Sequence, residues 1–301
     1  MPPQPRSLHG KVAVVTGGGR GIGKALALAL TRAGCRVAIG DVDGPAAALA
    51  AEEAGSGAIG MALDVTDRQG FTAFLDDVER RLGALDILVN NAGIMPVGPF
   101  AEEDDAAVIR VLEIDLHAVI HGSKEAVRRM RPRGSGHIVN VASVAGKTGF
   151  PNLVTYCAAK HGVVGLSEAL RLELRGTGID VSVVMPAIVQ TELAAGLPRS
   201  RGFKPSTPEE VAEAVVAALR ENRFDVYVPR AIGPTWAAMN LLPRRAREAL
   251  ARALRFDRAL RDADHAARAA YEARAAASAP AADAVVAEAA AEPEAREQAA
   301  A

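Results

Sequence analysis

The sequence is poor in the residues that make disulfide frameworks and metal sites. Its 301 residues include two cysteines, Cys35 and Cys157, and neither stands in a C-x-x-C pair or another metal-ligand spacing. We therefore expect both thiols to be reduced and structural. His117 and His121 have the i, i+4 spacing of a zinc pair. No third ligand is apparent near them in the sequence, so we interpret them as surface or interface histidines and expect no metal.

An excess of one charge sign and long apolar runs are also missing. The formal net charge of −1 argues against a general nucleic-acid-binding protein. No apolar run reaches the roughly 18 residues of a membrane span, and the first ten residues contain no apolar segment typical of secretory signals. These absences predict a cytoplasmic protein without an integral membrane segment. Half of the residues are apolar, which is enough for a large core.

The sequence does contain short apolar segments that alternate with helical patterns. Seven segments rich in β-branched residues predict strands at 11–16, 35–40, 57–63, 86–89, 137–142, 179–185 and 224–228. Apolar residues at helical spacing predict helices at 24–34, 67–82, 106–131, 154–174 and 208–222. Strands that alternate with helices are typical of a doubly wound parallel sheet flanked by helices, so the fold class is α/β.

Composition divides the chain into three parts. Residues 1–240 are predicted to form a single catalytic and dinucleotide-binding domain, in which the irregular segment 192–205 could be a mobile lid. Residues 241–277 are rich in Ala and Arg and predict a helical extension. A basic helix could touch a membrane surface or a partner subunit, but the interspersed acids favour a solvated helix. Residues 278–301 contain little to bury, which predicts a disordered tail.

A glycine-rich turn lies between the first predicted strand and the first predicted helix. Gly17 would allow the tight turn, Gly21 would let the backbone approach a pyrophosphate, and Gly23 would permit close packing of helix on strand. The amides at the start of the helix would then bind the anion. Strand, glycine turn and helix in this order predict a dinucleotide site.

An acidic residue at the end of the second strand bears on the choice of dinucleotide. Asp41 is placed to bind the adenine ribose hydroxyls and to repel a 2′-phosphate, which favours NAD over NADP. Arg20, in the glycine turn, argues weakly the other way because it could pair with that phosphate. We favour a solvated loop charge for Arg20.

Three further residues have the spacing of an acid–base site. Tyr156 and Lys160 lie four residues apart on a predicted helix and therefore share one face. A phenol titrates near pH 10, and a neighbouring cation lowers its pKa toward the range useful for proton transfer. Ser143 ends a predicted strand and could hydrogen-bond a substrate oxygen. The predicted chemistry is proton transfer at an alcohol or a carbonyl.

The motifs together resemble those of the short-chain dehydrogenase/reductase family. They are T-G-x-x-x-G-I-G at 16–23, Asp64-Val65, N-N-A-G at 90–93, Ser143, Y-x-x-x-K at 156–160 and the proline after the sixth strand, and the match covers roughly residues 8–230. The resemblance implies a Rossmann-like fold, with Tyr156 as general acid/base, Ser143 polarising the substrate carbonyl, and Lys160 lowering the tyrosine pKa and holding the nicotinamide ribose. The full predicted cofactor set is Gly17, Gly19, Arg20, Gly21, Ile22, Gly23, Asp41, Asp64, Val65, Asn91, Ala92, Gly93, Tyr156, Lys160, Pro186, Val189 and Thr191.

Two positions depart from the family pattern. The family usually has an Asn in the long helix that holds a proton-relaying water, and here Asp115 occupies that position. Asp115 could still hold the water as a charged isostere, or its charge could pair with Lys160 and weaken the pull of the lysine on Tyr156. Ala187 follows the proline where the family commonly has Gly, which we expect to change substrate fit slightly.

The resulting functional hypothesis is an NAD(H)-dependent oxidoreductase that interconverts a secondary alcohol and a ketone. Apolar residues near the site suggest a hydrophobic substrate, or else simple loop packing; they are Met95, Pro96, Val97, Phe100, Ile188, Val189, Leu193, Leu197 and Phe203. The alternatives are an NADP(H)-dependent carbonyl reductase and a non-catalytic NAD-binding sensor or scaffold. The resemblance also implies a homotetramer or homodimer packed through the long helix and the Tyr/Lys helix.

Overall fold

The computed structural model describes residues 5–197, 205–253 and 264–278. The strands are β1 Val12–Thr16, β2 Arg36–Asp41, β3 Ile59–Ala62, β4 Leu85–Asn90, β5 Gly136–Val141, β6 Ile179–Pro186 and β7 Asp225–Val228. The α-helices are α1 Gly21–Arg32, α2 Gly44–Ala54, α3 Arg68–Leu82, α4 Asp105–Leu112, α5 Ala118–Met130, α6 Val154–Glu173, α7 Pro208–Glu221, α8 Ile232–Asn240, α9 Arg244–Ala253 and α10 His265–Ala277. Short 3₁₀ turns occupy Phe100–Glu102, Arg131–Arg133, Val144–Gly146 and Glu192–Ala194.

The seven strands form one parallel sheet in the order β3-β2-β1-β4-β5-β6-β7. The chain moves outward from β1 to β3, then crosses back to β4 and moves outward the other way. This reversal confirms the predicted doubly wound sheet and leaves a crevice at the carboxyl ends of β1 and β4. Every residue of β1 is buried, because both faces of a parallel sheet are covered.

Helices cover both faces of the sheet and produce two main cores. One core packs α1, α2 and α7 on the sheet through residues such as Leu26, Ala47 and Val215. The other packs α3, α5 and α6 through residues such as Phe71 and Ala126. None of the helices in the described ranges is long and apolar enough to span a membrane.

Both cysteines lie in packed surroundings. Cys35 and Cys157 are buried as free thiols. Burial raises the pKa of Cys35 to about 11 and also raises the pKa of Cys157, so both thiols stay protonated at neutral pH. Neither is an activated nucleophile.

The prediction of one continuous helix at 106–131 is wrong, because the helix is interrupted in its middle. A π-helical turn, Glu113–His117, separates α4 from α5. Such a turn inserts one extra residue into a helix and is common at functional sites. The helices α2 and α8 have no counterpart among the predicted elements.

The C-terminal extension is helical in its described part, but the expectation of a solvated helix is wrong for α10. Arg268 in α10 is fully buried and Ala275 is nearly so. Because its contacts are with the loops at the crevice, α10 lies on the domain. The predicted disordered tail falls outside the described residues except for Ser278, and residues 198–204 of the predicted lid lie outside them too.

Candidate active site

A cleft of about 1380 Å³ opens at the carboxyl edge of the sheet. It is lined by every predicted cofactor and catalytic residue except Gly19. The loops after β1, β2, β4, β5 and β6 form its walls, because parallel strands deliver their following loops to the same edge. Residues far apart in the sequence therefore meet in one site.

The glycine turn has the geometry that the motif predicts. Gly17 has a positive φ of +61°, which only glycine adopts readily. A Cβ atom at Gly23 would lie 2.1 Å from the Gly17 carbonyl oxygen, so α1 can approach β1 this closely only with glycine there. The side chain of the N-cap residue, Arg20, does not cap α1. The first-turn amides of α1 therefore face the cleft ready for an anion.

Two carboxylates lie beside this turn. Asp41 accepts hydrogen bonds from the backbone amides of Gly19, at 2.8 Å, and Asp43, at 3.0 Å. Arg20 forms an ion pair with Asp43 and lies 3.8 Å from a carboxylate oxygen of Glu192. Arg20 is thus an exposed loop charge, as expected from the sequence, and its guanidinium is paired with acids of the protein itself.

The loops after β3 and β4 complete the first half of the cleft. Asp64 accepts hydrogen bonds from the amide and the hydroxyl of Thr66, at 2.9 and 2.7 Å, and Val65 is nearly buried beside it. The Asn91 side chain donates to the carbonyls of Thr16 and Gly17, at 2.9 and 3.0 Å. Asn91 thus ties the loop after β4 to the glycine turn and fixes the width of the crevice.

The Ser/Tyr/Lys residues meet where β5 ends. Ser143 begins a 3₁₀ turn and accepts from the amide of Ala145 at 3.1 Å. Its hydroxyl donates to the carbonyl of Pro186 at 3.4 Å and lies near the phenol of Tyr156. Tyr156 and Lys160 lie one turn apart in α6, with the lysine Nζ 5.5 Å from the centre of the phenol ring. Tyr156 and Lys160 are therefore close to each other, as the sequence predicts.

Asp115 pairs with Lys160, which is the second of the two alternatives raised by the sequence. The carboxylate oxygen Oδ2 lies 3.1 Å from the lysine Nζ, and both side chains are almost completely buried. The other oxygen accepts from the amide of Ile94 at 2.7 Å, and Lys160 also donates to the carbonyl of Val141 at 3.2 Å. The π-helical turn carries Asp115 into this position.

The electrostatics of the site differ from the sequence-based expectation. Burial raises the pKa of Asp115, while Lys160 opposes the rise. The pKa of Tyr156 is raised, first by burial and then by the charge of Asp115, and the hydrogen bond from Ser143 acts against the rise. With the protein residues alone, the pKa of Tyr156 is therefore raised and not lowered as the sequence predicted, chiefly because the phenol is buried.

The outer end of the cleft is apolar. The lining residues there are Met95, Ala145, Phe150, Leu153, Tyr156, Leu193 and Leu197. Val97 and Cys157 belong to the same apolar cluster but do not line the cleft. Phe100, which was predicted to belong to this surface, is 62% exposed and does not line the cleft. Phe203 lies outside the described residues. Trp236 and Met239 from α8 add to the lining.

The two histidines considered as a zinc pair have other partners. His117 contacts Glu113 at 2.8 Å, and His121 contacts the carbonyl of Arg68 at 3.2 Å. Within the described ranges no group of three or more His, Cys, Asp or Glu residues could hold a metal ion.

Sequence reasoning missed the part of the site that α10 contributes. Tyr271 lines the cleft, and its hydroxyl accepts from the amide of Met95 at 2.7 Å. Arg268 lies behind it, with its guanidinium 5.3 Å from the centre of the Tyr271 ring. The available signal was weak: Tyr271 is one of two aromatic residues after Pro243, and it shares a helical face with Arg268.

Comparison with known sequences gives one family and close relatives. A model of the family described as short chain dehydrogenase matches residues 11–202. The chain is 43% identical over 217 residues to cis-4-hydroxycyclohexanecarboxylate dehydrogenase from Sinomonas cyclohexanicum, covering 68% of this chain and 87% of that relative. It is 36% identical over 235 residues to 2-(S)-hydroxypropyl-CoM dehydrogenase 3 from Xanthobacter autotrophicus, covering 71% and 91%.

Comparison with solved structures agrees with this result. A crystal structure of a short chain dehydrogenase/reductase from Burkholderia phymatum in complex with NAD superposes with a TM-score of 0.71 and 30% sequence identity. The superposition covers 77% of this chain and 93% of that chain.

Proposed function

This chain belongs to the short-chain dehydrogenase/reductase family, and from that premise we propose that it is an NAD(H)-dependent enzyme that interconverts a secondary alcohol and a ketone. The single observation that carries the proposal is the convergence of Ser143, Tyr156 and Lys160 in the cleft that begins at the glycine turn. A dinucleotide held along the glycine turn would extend toward the Tyr156 hydroxyl.

The roles of the residues follow from their positions. A bound nicotinamide supplies or accepts the hydride. Tyr156 moves the proton at its hydroxyl oxygen, as general base toward an alcohol and as general acid toward a ketone. Ser143 donates a hydrogen bond to the same substrate oxygen and orients it. Lys160, held by Asp115, provides the positive charge beside the phenol and holds the nicotinamide ribose.

Negative charge beside the adenine end favours NAD over NADP. Asp41 and Asp43 line the cleft beside the glycine turn, and an acid at the end of the second strand of such a fold would repel a 2′-phosphate. Arg20 is the cation of this loop that could attract the phosphate, and it is paired with Asp43 and faces Glu192. A phosphate would therefore meet two carboxylates and an already neutralised guanidinium.

The outer cleft favours an apolar substrate. Met95, Phe150, Leu193 and Leu197 present aliphatic and aromatic surface next to Tyr156, and apolar area is favourable to bury against an apolar ligand. A relative acts on cis-4-hydroxycyclohexanecarboxylate, a ring alcohol of the size that such a surface accepts. We propose small cyclic or branched secondary alcohols as the first substrates to test.

One observation favours a second candidate, a non-catalytic protein that binds NAD as a sensor or scaffold. The pairing of Lys160 with Asp115 diverts the cation that would otherwise act on Tyr156. In that case the cofactor binds without efficient proton transfer. The intact Ser143 and Tyr156 support the enzyme over this candidate.

The test combines cofactor binding with turnover. Titration should give tighter binding of NAD(H) than of NADP(H). NAD reduction should be followed with a panel of apolar secondary alcohols and, beside them, with cis-4-hydroxycyclohexanecarboxylate. Tyr156→Phe removes the hydroxyl that moves the proton, so turnover should fall at least 100-fold, the lower end of what general acid–base catalysis contributes. NAD(H) affinity should change little in the same variant.

Two results would contradict the proposal. Tight NAD(H) binding without turnover on any alcohol in the panel would favour the sensor. Turnover that survives Tyr156→Phe would remove the tyrosine from the mechanism even if the enzyme class holds.

A further inference from the structure

The helix α10 lies across the substrate end of the cleft, although the family match ends at residue 202. The amide of Asp264, its N-cap, donates to the carbonyl of Gly196 at 2.8 Å. Near its other end, Arg274 contacts Glu192 at 2.7 Å. Both partners belong to the loop after β6, so α10 extends along that loop and over the apolar pocket.

Arg268 joins two walls of the pocket through α10. Its guanidinium donates to the carbonyls of Leu193 and Ala195, at 3.1 and 2.9 Å, and to the carbonyl of Met95, at 2.6 Å. Leu193 and Ala195 belong to the loop after β6, whereas Met95 belongs to the loop after β4. The side chain of Arg268 is completely buried, so these bonds are shielded from competing water and hold α10 in one place.

This anchor places the Tyr271 hydroxyl at the pocket with its proton available. The phenol oxygen accepts from the amide of Met95 at 2.7 Å. Among the described residues it donates to no protein acceptor, and the side chain lines the cleft. Burial raises the pKa of Tyr271, as does the nearby charge of Asp115, so the group stays a hydrogen-bond donor at neutral pH.

We propose that Tyr271 binds the substrate, by donating a hydrogen bond to an oxygen other than the one that reacts. Ser143 and Tyr156 hydrogen-bond the oxygen that reacts. A third hydroxyl in the same pocket is therefore left to hydrogen-bond a different atom of the substrate. This assigns a substrate class, an apolar secondary alcohol that carries a second oxygen acceptor such as an ether, a carbonyl or a carboxylate. The assignment rests on the proposed function.

The experiment uses two alcohols that differ in that acceptor alone. They are cis-4-methoxycyclohexanol and cis-4-ethylcyclohexanol: the first has an ether oxygen where the second has a methylene group. A third probe, cis-4-hydroxycyclohexanecarboxylate, carries a carboxylate as the acceptor. The value of kcat/KM is measured for each with the full-length enzyme and NAD. The preference for each oxygen-bearing probe over the ethyl compound should be about three- to ten-fold greater in the wild type than in Tyr271→Phe, as for the loss of one hydrogen bond.

The controls separate a substrate contact from a structural role. Tyr227→Phe makes the same change in β7, away from the cleft lining, and should leave every ratio unchanged. In Tyr271→Phe the NAD(H) affinity should match the wild type within error, and the melting temperature should fall by no more than a few degrees, as for the one hydrogen bond that the Met95 amide loses. The variant keeps the ring that packs against Arg268 and removes only the hydroxyl.

The outcomes are distinguishable. Turnover of none of the three alcohols by the wild type would overturn the proposed function and this inference with it. Turnover with the same substrate ratios in wild type and Tyr271→Phe would overturn this inference alone. An equal loss of rate on all three probes, with a lowered melting temperature, would make Tyr271 a structural residue and also overturn it.

Discussion

The pair between Asp115 and Lys160 sets the charge beside Tyr156, the proposed acid–base residue. Two opposite charges 3.1 Å apart in a buried site largely cancel toward a third group. An uncharged amide at position 115 could keep the hydrogen bond from Ile94 and release the lysine charge to act on the phenol. The single change from the family Asn to Asp therefore shifts the proton affinity of Tyr156 in the unfavourable direction for a base at neutral pH.

Replacing Asp115 by Asn should move the pH profile of alcohol oxidation to lower pH. In the proposed mechanism oxidation needs the phenolate of Tyr156, so the rate should rise with pH through the tyrosine pKa. The charge of Asp115 raises that pKa, so removing the charge should lower it. A shift of about one pH unit corresponds to about 1.4 kcal/mol of interaction between the carboxylate and the phenolate. The measurement is kcat/KM for a secondary alcohol as a function of pH.

The matched control is Glu125→Gln, which removes a buried carboxylate from α5 where it pairs with Arg128. Its charge is not among those that act on Tyr156, so the profile should stay in place. A profile of Asp115→Asn that shifts to higher pH, or does not move, would show that Asp115 does not act through its charge on the phenol.

At the scale of residues, the site was predictable where it depends on short spacing or a fixed turn. Tyr156 and Lys160 share a helical face, and Gly17 and Gly23 follow from the turn between strand and helix. The pairing of Asp115 was not predictable. It depends on where the π-helical turn points the side chain and on the burial that the surrounding fold imposes.

At the scale of elements, the helix α10 shows why composition is a poor guide to packing. Its segment is rich in Ala and Arg, which indicates helix but gives no strong apolar stripe. The docking depends on Arg268, a residue type that is almost never fully buried unless it is paired. One partner is local, since Glu272 one turn further along α10 accepts from the guanidinium at 3.0 Å. The carbonyls of Met95, Leu193 and Ala195 are brought to Arg268 only by the folded chain, and no local pattern encodes them.

Removing the anchor should loosen α10 without unfolding the domain. Arg268→Ala leaves the carbonyls of Met95, Leu193 and Ala195 without their charged donor, and a hydrogen bond to a charged group is worth about 1.5–3 kcal/mol. We expect hydrogen exchange of the amides in 266–277 to accelerate at least ten-fold. The amides of α6 should keep their protection, because the sheet core is not touched. The measurement is exchange followed by mass spectrometry.

Arg274→Ala is the matched control for this prediction. Its ion pair with Glu192 is about half exposed on both sides, and such surface pairs contribute about 0–1 kcal/mol. Exchange in α10 should therefore change little in this variant. Equal acceleration in both variants, or none in Arg268→Ala, would mean that the buried guanidinium does not hold the helix.

At the scale of the whole molecule, the order of the motifs along the chain was enough to predict the parallel sheet. Each strand is followed by a helix or a loop at the same edge, so the seven predicted strands and the right-handed crossover rule leave few arrangements. The assembly of subunits has no comparable signal in the sequence. It depends on which apolar residues the folded chain leaves on its surface.

Four of the nine exposed large apolar side chains among the described residues lie on the helices expected to form an interface. Ile109 on α4, Ile120 on α5, and Val154 and Leu172 on α6 are between 41% and 60% exposed. Scattered exposed apolar residues need no explanation, but several on adjacent helices can mark a contact between subunits. The dimer or tetramer implied by the family resemblance would cover this surface.

Replacing Ile120 by Arg should therefore dissociate the oligomer. A charge buried without a partner at a subunit contact costs several kcal/mol, enough to weaken association by at least 100-fold. Light scattering coupled to size-exclusion chromatography should give a multiple of the monomer mass for the wild type and the monomer mass for the variant. Leu49→Arg makes the same kind of change at a 57% exposed position on α2, away from these helices, and should keep the wild-type mass. A monomeric wild type, or an unchanged mass in Ile120→Arg, would place this surface in solvent.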